Sequence, residues 1–244
     1  PAVSPAAFLY EKGNQDLLIG IIGAMRAETE LFLADLNGRS QVERGGAALD
    51  FGQLRGHDVV IAECGVGKVN AAMLAALLVS EGVHSVIFSG VAGALDPSLR
   101  VGDIVISTDC VQHDVDVRAL GYPPGQVPGE TFQSRADSRL RETARAACEV
   151  LADVAVMEGR ILSGDQFVAD PDHAARLHAE FGGACVEMEG AAVAQVCARA
   201  GVPFLVIRSM SDTADHTASP DFRAFTELAA GQSRAVVLGL LERL

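Results

Sequence analysis

A chain of 244 residues that is 49% hydrophobic and only 21% charged carries enough apolar side chain for a large core, which sets it apart from disordered chains. A net charge of −13 and a pI near 4.8 exclude a surface that binds nucleic-acid phosphate or an anionic membrane. No apolar run reaches the ~20 residues that cross a bilayer.

Residues 1–16, "PAVSPAAFLYEKGNQD", have neither a charged start nor a long apolar run. They read as a short extension ahead of one domain spanning 17–244, and the chain is expected in the cytoplasm. "LLIGIIGAM" (17–25) is short and apolar, which predicts a central strand. "RAETELFLADL" follows with helical spacing. "HDVVIAECGVGKVNAAMLAALLVSEG" reads as strand, glycine turn and helix, and "HSVIFSGVAGAL" repeats the strand-to-glycine pattern. "VGDIVIST" is another strand, and "SRADSRLRETARAACEVLA" is an amphipathic helix. "EGRILSGDQFV" is strand then turn, and "DPDHAARLHAEFG" is a helix begun by Asp-Pro. "ACVEM" is a strand, "EGAAVAQVCARAG" a helix closed by Gly201, "VPFLVIRSMSD" the last strand, and the remaining tail one long helix.

Strands alternating with helices, without a linker or a repeat, predict a single α/β domain with a central mixed β-sheet flanked by helices. In such sheets ligands lie beyond the carboxyl ends of the strands. Those ends carry Gly23, Ala24, Met25 and Glu28; Cys64 to Gly67; Gly90, Val91, Ala92 and Gly93; Ser163, Gly164, Asp165 and Phe167; Glu187, Met188 and Glu189; and Arg208, Ser209, Ser211 and Asp212. Facing one cleft, they suit a hydroxyl-rich, nitrogen-bearing, largely uncharged small molecule.

Taken singly, these signals have plain structural readings. "GVGK" lacks the phosphate-loop spacing and "SGVAGA" lacks GxGxxG. Glu28 and Glu189 can be first-turn acids that satisfy a helix dipole, Asp212 a helix N-cap, and Arg208 an ion-pair partner. Five cysteines without a CxxC read as buried reduced thiols, and six histidines without HxxxH or HExxH spacing give no metal site.

The ordered set "IGIIGAM" followed by Glu28, "GVGKVNAA", "GVAGAL", "VGDIVIS", "HDVDVRALGY", "SGDQFV", "VEMEGAAVAQVC" and "RSMSDTAD" resembles the 5′-methylthioadenosine/S-adenosylhomocysteine nucleosidases of the nucleoside phosphorylase superfamily. The resemblance runs from about Leu18 to the C-terminus. It implies hydrolysis of the N-glycosidic bond of 5′-thioadenosines, with no metal or organic cofactor. It implies that Asp212 is the general acid at purine N7, that Glu28 activates the water, and that Arg208 helps to place that water and balances the acids. Glu189 would bind the ribose hydroxyls, with Met188 along the sugar and Glu187 on Arg208 or on a hydroxyl. Phe167 would stack on adenine, the Val168 backbone would read its edge, and Gly93 would let the backbone approach the base. Ala92 and Ser211 join this binding set, Phe222 would close over the ribose or purine, and Met25 would line the 5′ end. Many relatives carry a hydroxyl residue where this chain has Val91. The family is dimeric, so the resemblance implies a homodimer, with Leu120 and Pro128 of "ALGYPPGQVP" lent to the partner's pocket. A phosphorylase of the same fold, which needs several arginines, a futalosine-type hydrolase and a non-catalytic nucleoside-binding module are the alternatives.

Overall fold

β5 (Ser85–Ala94) is the strand on which the rest of the sheet is arranged. It is buried at nine of its ten positions, as an apolar strand covered on both faces must be. The computed structural model describes residues 17–151, 153–215 and 218–244; the expected extension, 1–16, lies outside the described residues. The other strands are β1 (Ile19–Gly23), β2 (Asn37–Arg44), β3 (Ala47–Leu54), β4 (His57–Glu63), β6 (Ile104–Gln112), β7 (Ser134–Arg135), β8 (Val156–Ser163), β9 (Gly183–Glu187) and β10 (Phe204–Asp212). The helices are α1 (Arg26–Ala34), α2 (Lys68–Ser80), α3 (Ser138–Ala147), α4 (Pro171–Phe181), α5 (Gly190–Ala200) and α6 (Ala218–Leu241).

β5 runs parallel to β10, and β10 pairs on its other side with β6, antiparallel. β6 is parallel to β8 and β8 to β9, and β9 returns antiparallel to β5 at Gly93 and Ala94. These five strands close into a ring, from which β1, β4, β3 and β2 extend as a side sheet. The architecture is therefore a single α/β domain with a mixed sheet and flanking helices, as its strand–helix alternation predicts.

Closure of the ring leaves a gap. β1 pairs with β5 only over Ser85–Phe88, and β9 takes over only at Gly93. Residues 89–92 thus have no strand partner from β1 or β9. Their polar backbone atoms need other partners, because an unpaired buried N–H costs about as much as a lost hydrogen bond. Two side chains fill the role. Glu28 accepts from the Val91 N–H at 3.0 Å, and the Ser233 hydroxyl, on α6, accepts from the Gly90 N–H at 3.2 Å.

The structure departs from the sequence reading in two places. Residues 37–54 form a hairpin, β2–β3, which the sequence reading does not contain. β2 is polar and largely exposed, so it lacks an apolar signature; the local cue is Gly45–Gly46, both at positive φ in the two-residue turn. The helix expected from Ser134 instead begins at Ser138. Ser134 and Arg135 pair with β6 as β7, and Asp137 caps the helix by accepting from the Leu140 N–H at 2.9 Å. The five cysteines are free and buried, as expected. Among the described residues no helix is long and apolar enough to cross a membrane.

Ser233 is fully buried, and its hydroxyl also lies 2.8 Å from that of Ser89. Ser233→Ala strands these buried groups, a loss of about 1–3 kcal/mol. The thermal midpoint should fall by several degrees, on a scale of ~2–4 °C per kcal/mol for a domain of this size. Differential scanning calorimetry of the variant beside the parent protein checks this.

Candidate active site

The gap beside β5 opens into a cavity of about 240 Å³. Its wall is built from strand ends: Ala24, Met25 and Glu28 after β1; Val66 after β4; Val91, Ala92 and Gly93 on β5; Gln166, Phe167 and Val168 after β8; Val186 to Glu189 around the end of β9; Ser211 and Asp212 on β10; and Phe222 on α6. Every residue that the resemblance places at the nucleoside on this chain is here, except Arg208. Gln166 and Val186 line the wall without having been singled out; their cue is only that they sit inside "SGDQFV" and "VEMEG".

Glu28 is 4% exposed and is the third residue of α1. Its Oε2 accepts from the Ala24 and Met25 N–H groups at 2.6 and 3.0 Å, and its Oε1 from Val91. The first-turn reading of Glu28 is thus correct as far as it goes, since the carboxylate does satisfy the start of α1. Burial raises its pKa, against the opposing pull of Arg208 and the three amides. Of roughly four acceptor sites on a carboxylate, one is left for the cavity.

Arg208 does not line the cavity. It is 1% exposed and lies behind the wall, with its guanidinium 4.0 Å from the Phe88 ring centroid and 2.5 Å from Glu187 Oε2. Space for it exists only because residue 90 is glycine. A Cβ there would lie 2.6 Å from Glu28 Oε1 and 2.8 Å from Arg208 Nη1.

Of the two acids flanking Met188, Glu187 is spent on structure. It pairs with Arg208, accepts from the Gly190 N–H at 2.8 Å and from the Glu189 N–H at 3.2 Å, and receives the Ser163 hydroxyl. The strand ends at Glu187, so Glu189 is not on it but at the N-cap of α5. Glu189 accepts from the Gly67 N–H at 2.6 Å and is otherwise turned to the cavity. Burial, with the Glu187 charge next, pushes its carboxyl up to about 7.

Asp212 is the last residue of β10 rather than a helix cap, since α6 starts at Ala218. Its Oδ1 accepts from the Ala214 N–H at 2.9 Å, two residues on, and its Oδ2 from the Ser211 hydroxyl at 2.8 Å. Burial raises its pKa and outweighs these two bonds. Gly93 gives it room, because a Cβ there would lie 2.8 Å from Asp212 Oδ1. Phe167 meets Phe222 edge to face at 5.7 Å. The Val91 side chain packs with Ala229, Ala230, Met25 and Phe222. The Cys64 thiol is pushed up by burial and by Glu189 and Glu28, so it is neutral and no nucleophile. Among the described residues no His, Cys, Asp and Glu group is arranged to hold a metal ion.

Leu120 and Pro128 are exposed and away from the cavity of their own chain. With Val66, Val69, Met73 and Tyr122 they belong to a set of exposed large apolar and proline side chains, of which Val69 is 80% and Leu120 72% exposed.

The arrangement is therefore three separated carboxylates, each held above its ordinary pKa, around an apolar cavity with two aromatic rings. The chain as a whole is similar to known proteins. The family model described as the phosphorylase superfamily matches residues 18–242. The 5′-methylthioadenosine/S-adenosylhomocysteine nucleosidase of Geobacillus thermodenitrificans is 43% identical over 223 residues, 91% of this chain and 94% of that protein. The nucleosidase of that name from Neisseria meningitidis, solved with methylthio-immucillin-A, superposes with a TM-score of 0.90 at 39% identity, covering 93% of this chain and 99% of that one. The futalosine hydrolase of Helicobacter pylori superposes with a TM-score of 0.89 at 34% identity, covering 95% and 100%. On fold and sequence together, the chain belongs to the phosphorylase superfamily and, within it, to the 5′-methylthioadenosine/S-adenosylhomocysteine nucleosidases.

Proposed function

We propose that the protein hydrolyses the N-glycosidic bond of 5′-methylthioadenosine and S-adenosylhomocysteine, releasing adenine and the 5-thioribose product. The observation that carries this reading is that Glu28, Glu189 and Asp212 reach one cavity from three different strand ends, each with a backbone amide already bound. Adenine leaves poorly as an anion, so it must be protonated as the bond breaks. Asp212, whose pKa is raised by burial, is the carboxyl on the cavity wall suited to hold that proton. One of its oxygens can donate to N7 while the other accepts from the 6-amino group, which a 6-oxopurine lacks. Cleavage leaves oxocarbenium character on the ribose, which the Glu28 carboxylate stabilises while its remaining acceptor site orients and deprotonates the attacking water. Arg208 acts from behind the wall, through its charge on Glu28 and Glu187. Glu189, held on one side by the Gly67 amide, accepts from the ribose hydroxyls. Phe167 stacks on the base, and Phe222 and Met25 shelter the sugar and its thioether.

A phosphate nucleophile would meet these acids, with no arginine among the described residues of the cavity wall to receive it. Incubation with 5′-methylthioadenosine should therefore release adenine equally with and without phosphate. Release that requires phosphate would make the protein a phosphorylase, and no release with tight binding would make it a binding module. The likeness to a futalosine hydrolase makes the 6-amino form of futalosine the informative additional substrate, because Asp212 suits a 6-amino purine. We further propose that a second copy of the chain covers the exposed apolar side chains, so that Leu120 and Pro128 wall the partner's 5′ pocket, in a cytoplasmic homodimer.

Three outcomes are expected. Asp212→Asn keeps the shape but removes the proton and should lower turnover by ~10²–10⁴-fold, while Glu28→Gln should lose turnover and still bind 5′-methylthioadenosine; steady-state rates and calorimetric titration check both. Leu120→Asp should either separate the dimer in sedimentation or erase the preference for 5′-methylthioadenosine over adenosine. One buried methylthio group is worth roughly 1–2 kcal/mol, so that preference should be about tenfold or more in the parent protein.

The third outcome concerns pH. The Glu189 carboxyl in the folded protein sits at about 7, above the ordinary 4.5, so folding favours its neutral form. Below pH 4.5 the group is neutral folded or unfolded and costs nothing. Between 4.5 and about 7 the unfolded chain releases the proton first, and stability is lost progressively until the folded carboxyl ionises too. Glu189→Gln removes this loss, and its amide oxygen still accepts from Gly67. The variant should melt several degrees above the parent at pH 8 and almost with it at pH 5, as measured by calorimetry.

A further inference from the structure

The loops that follow β4, β6 and β8 are tied to one another by a closed ring of polar contacts outside the cavity wall. Lys68 is the first residue of α2, Asp114 lies two residues past β6, and Asp165 two residues past β8. The Lys68 ammonium donates to Asp114 Oδ1 at 2.6 Å, and the Asp165 N–H donates to Asp114 Oδ2 at 2.9 Å. The Lys68 N–H donates to Asp165 Oδ1 at 2.9 Å, which returns the ring to its start. A second bond from the Lys68 ammonium, 3.0 Å to Gln112 Oε1, braces it against β6. The Lys68 and Asp114 side chains are only 15% and 18% exposed, so water screens this pair less than it would a surface pair.

The ring stands next to two parts of the candidate active site. The amide before Lys68 is that of Gly67, which donates to Glu189 Oε1. The turn thus directs one amide to Asp165 and the adjacent one to Glu189. Both are among the N–H groups that the start of a helix leaves without partners and that attract carboxylates. Gly67 holds φ +97°, which suits glycine alone, so the turn has little freedom to aim its amides otherwise. On the other side, Asp165 leads directly into Gln166, Phe167 and Val168 of the cavity wall.

We propose that Lys68, Asp114 and Asp165 are positioning residues whose ring sets the Gly67 amide on Glu189 and the Gln166–Val168 wall in one arrangement, so that recognition of the ribose and of the purine is coupled. None of the three lines the cavity, so they act through Glu189 and the loop. The proposal rests on the reading of Glu189 as the ribose-binding carboxylate.

The test uses Lys68→Met and Asp114→Asn, both close in shape to the parent residues, with Lys68→Arg as the conservative variant. Each is assayed on 5′-methylthioadenosine and on its 2′-deoxy analogue, and amide hydrogen exchange is followed over 64–68 and 164–168. Lys68→Met and Asp114→Asn should each raise KM by tenfold or more with a smaller change in kcat. The discrimination between the two substrates should shrink at least fivefold, and the double variant should be no worse than either single one. Lys68→Arg should recover most of the discrimination. Exchange should quicken in both segments of each single variant, including the segment on which the substitution does not lie. Unchanged KM and discrimination, effects that multiply in the double variant, or exchange that quickens in one segment alone would each overturn the proposal. If the parent protein releases no adenine, the functional reading fails, while the exchange measurement still decides whether the ring couples the two loops.

Discussion

Arg208 is the charge on which the interior of the protein depends. It is fully buried, and around it stand Glu28 and Glu187, both nearly as buried, with Glu189 close enough to feel its charge. A cation in that position is tolerable because it has a carboxylate at hydrogen-bonding distance and an aromatic ring beneath it, and because the acids are in turn held by backbone amides. Removing either partner would leave an uncompensated buried charge, which costs far more than the pair is worth. The cluster is therefore held as a unit. Gly90 gives it space, the unpartnered stretch of β5 gives Glu28 an amide, and the start of α5 gives Glu187 two.

The same arrangement sorts the acids by task. Glu187 is saturated: it has the guanidinium, the Ser163 hydroxyl and the amides of α5. Glu28 is one acceptor site short of saturation, Glu189 has a single amide from Gly67, and Asp212 has a bond to each oxygen yet stays above its ordinary pKa. All four acids reach the cavity wall, but only three bring spare capacity to it; the saturated one is tied to the cation. A carboxylate's remaining lone pairs, rather than its position alone, separate a group that holds the protein together from one that handles a ligand.

Much of this is legible in the sequence because the chemistry sits at strand ends, and strand ends are marked by apolar runs that stop at glycine, acid or hydroxyl residues. That reading brings Glu28, Glu189 and Asp212 together although the first two follow the first and ninth strands and the third ends the last one. It does not separate Glu187 from Glu189, because alternation along a strand puts both on one face, whereas the strand stops at Glu187 and the helix start turns Glu189 elsewhere. The resemblance implies that Arg208 helps to place the water, whereas Arg208 sits in the middle of β10 and behind the wall, and a sequence does not show on which side of a wall a strand residue falls. The β2–β3 hairpin is silent for a different reason. Its outer strand is polar and exposed, and its pairing is set by a two-glycine turn rather than by a buried face. The contacts among Lys68, Asp114 and Asp165 join three distant segments, and no local pattern records them.

The place of β10 in the sheet bears on how the protein comes into being. β10 is the last strand in the chain, yet it lies between β5 and β6, which precede it by about half the sequence. As the polypeptide emerges from the ribosome, N-terminus first, the facing edges of β5 and β6 have nothing to pair with until Phe204 to Asp212 appears, and only β10 can join them. The five-stranded ring therefore forms as one of the final events of folding, through contacts far apart in sequence. Until then two apolar strands keep open edges, the features that recruit stray chains. The residue that completes the cavity, Asp212, arrives on the strand that covers those edges. A molecule with a whole active site is thereby one whose five-stranded ring is already closed.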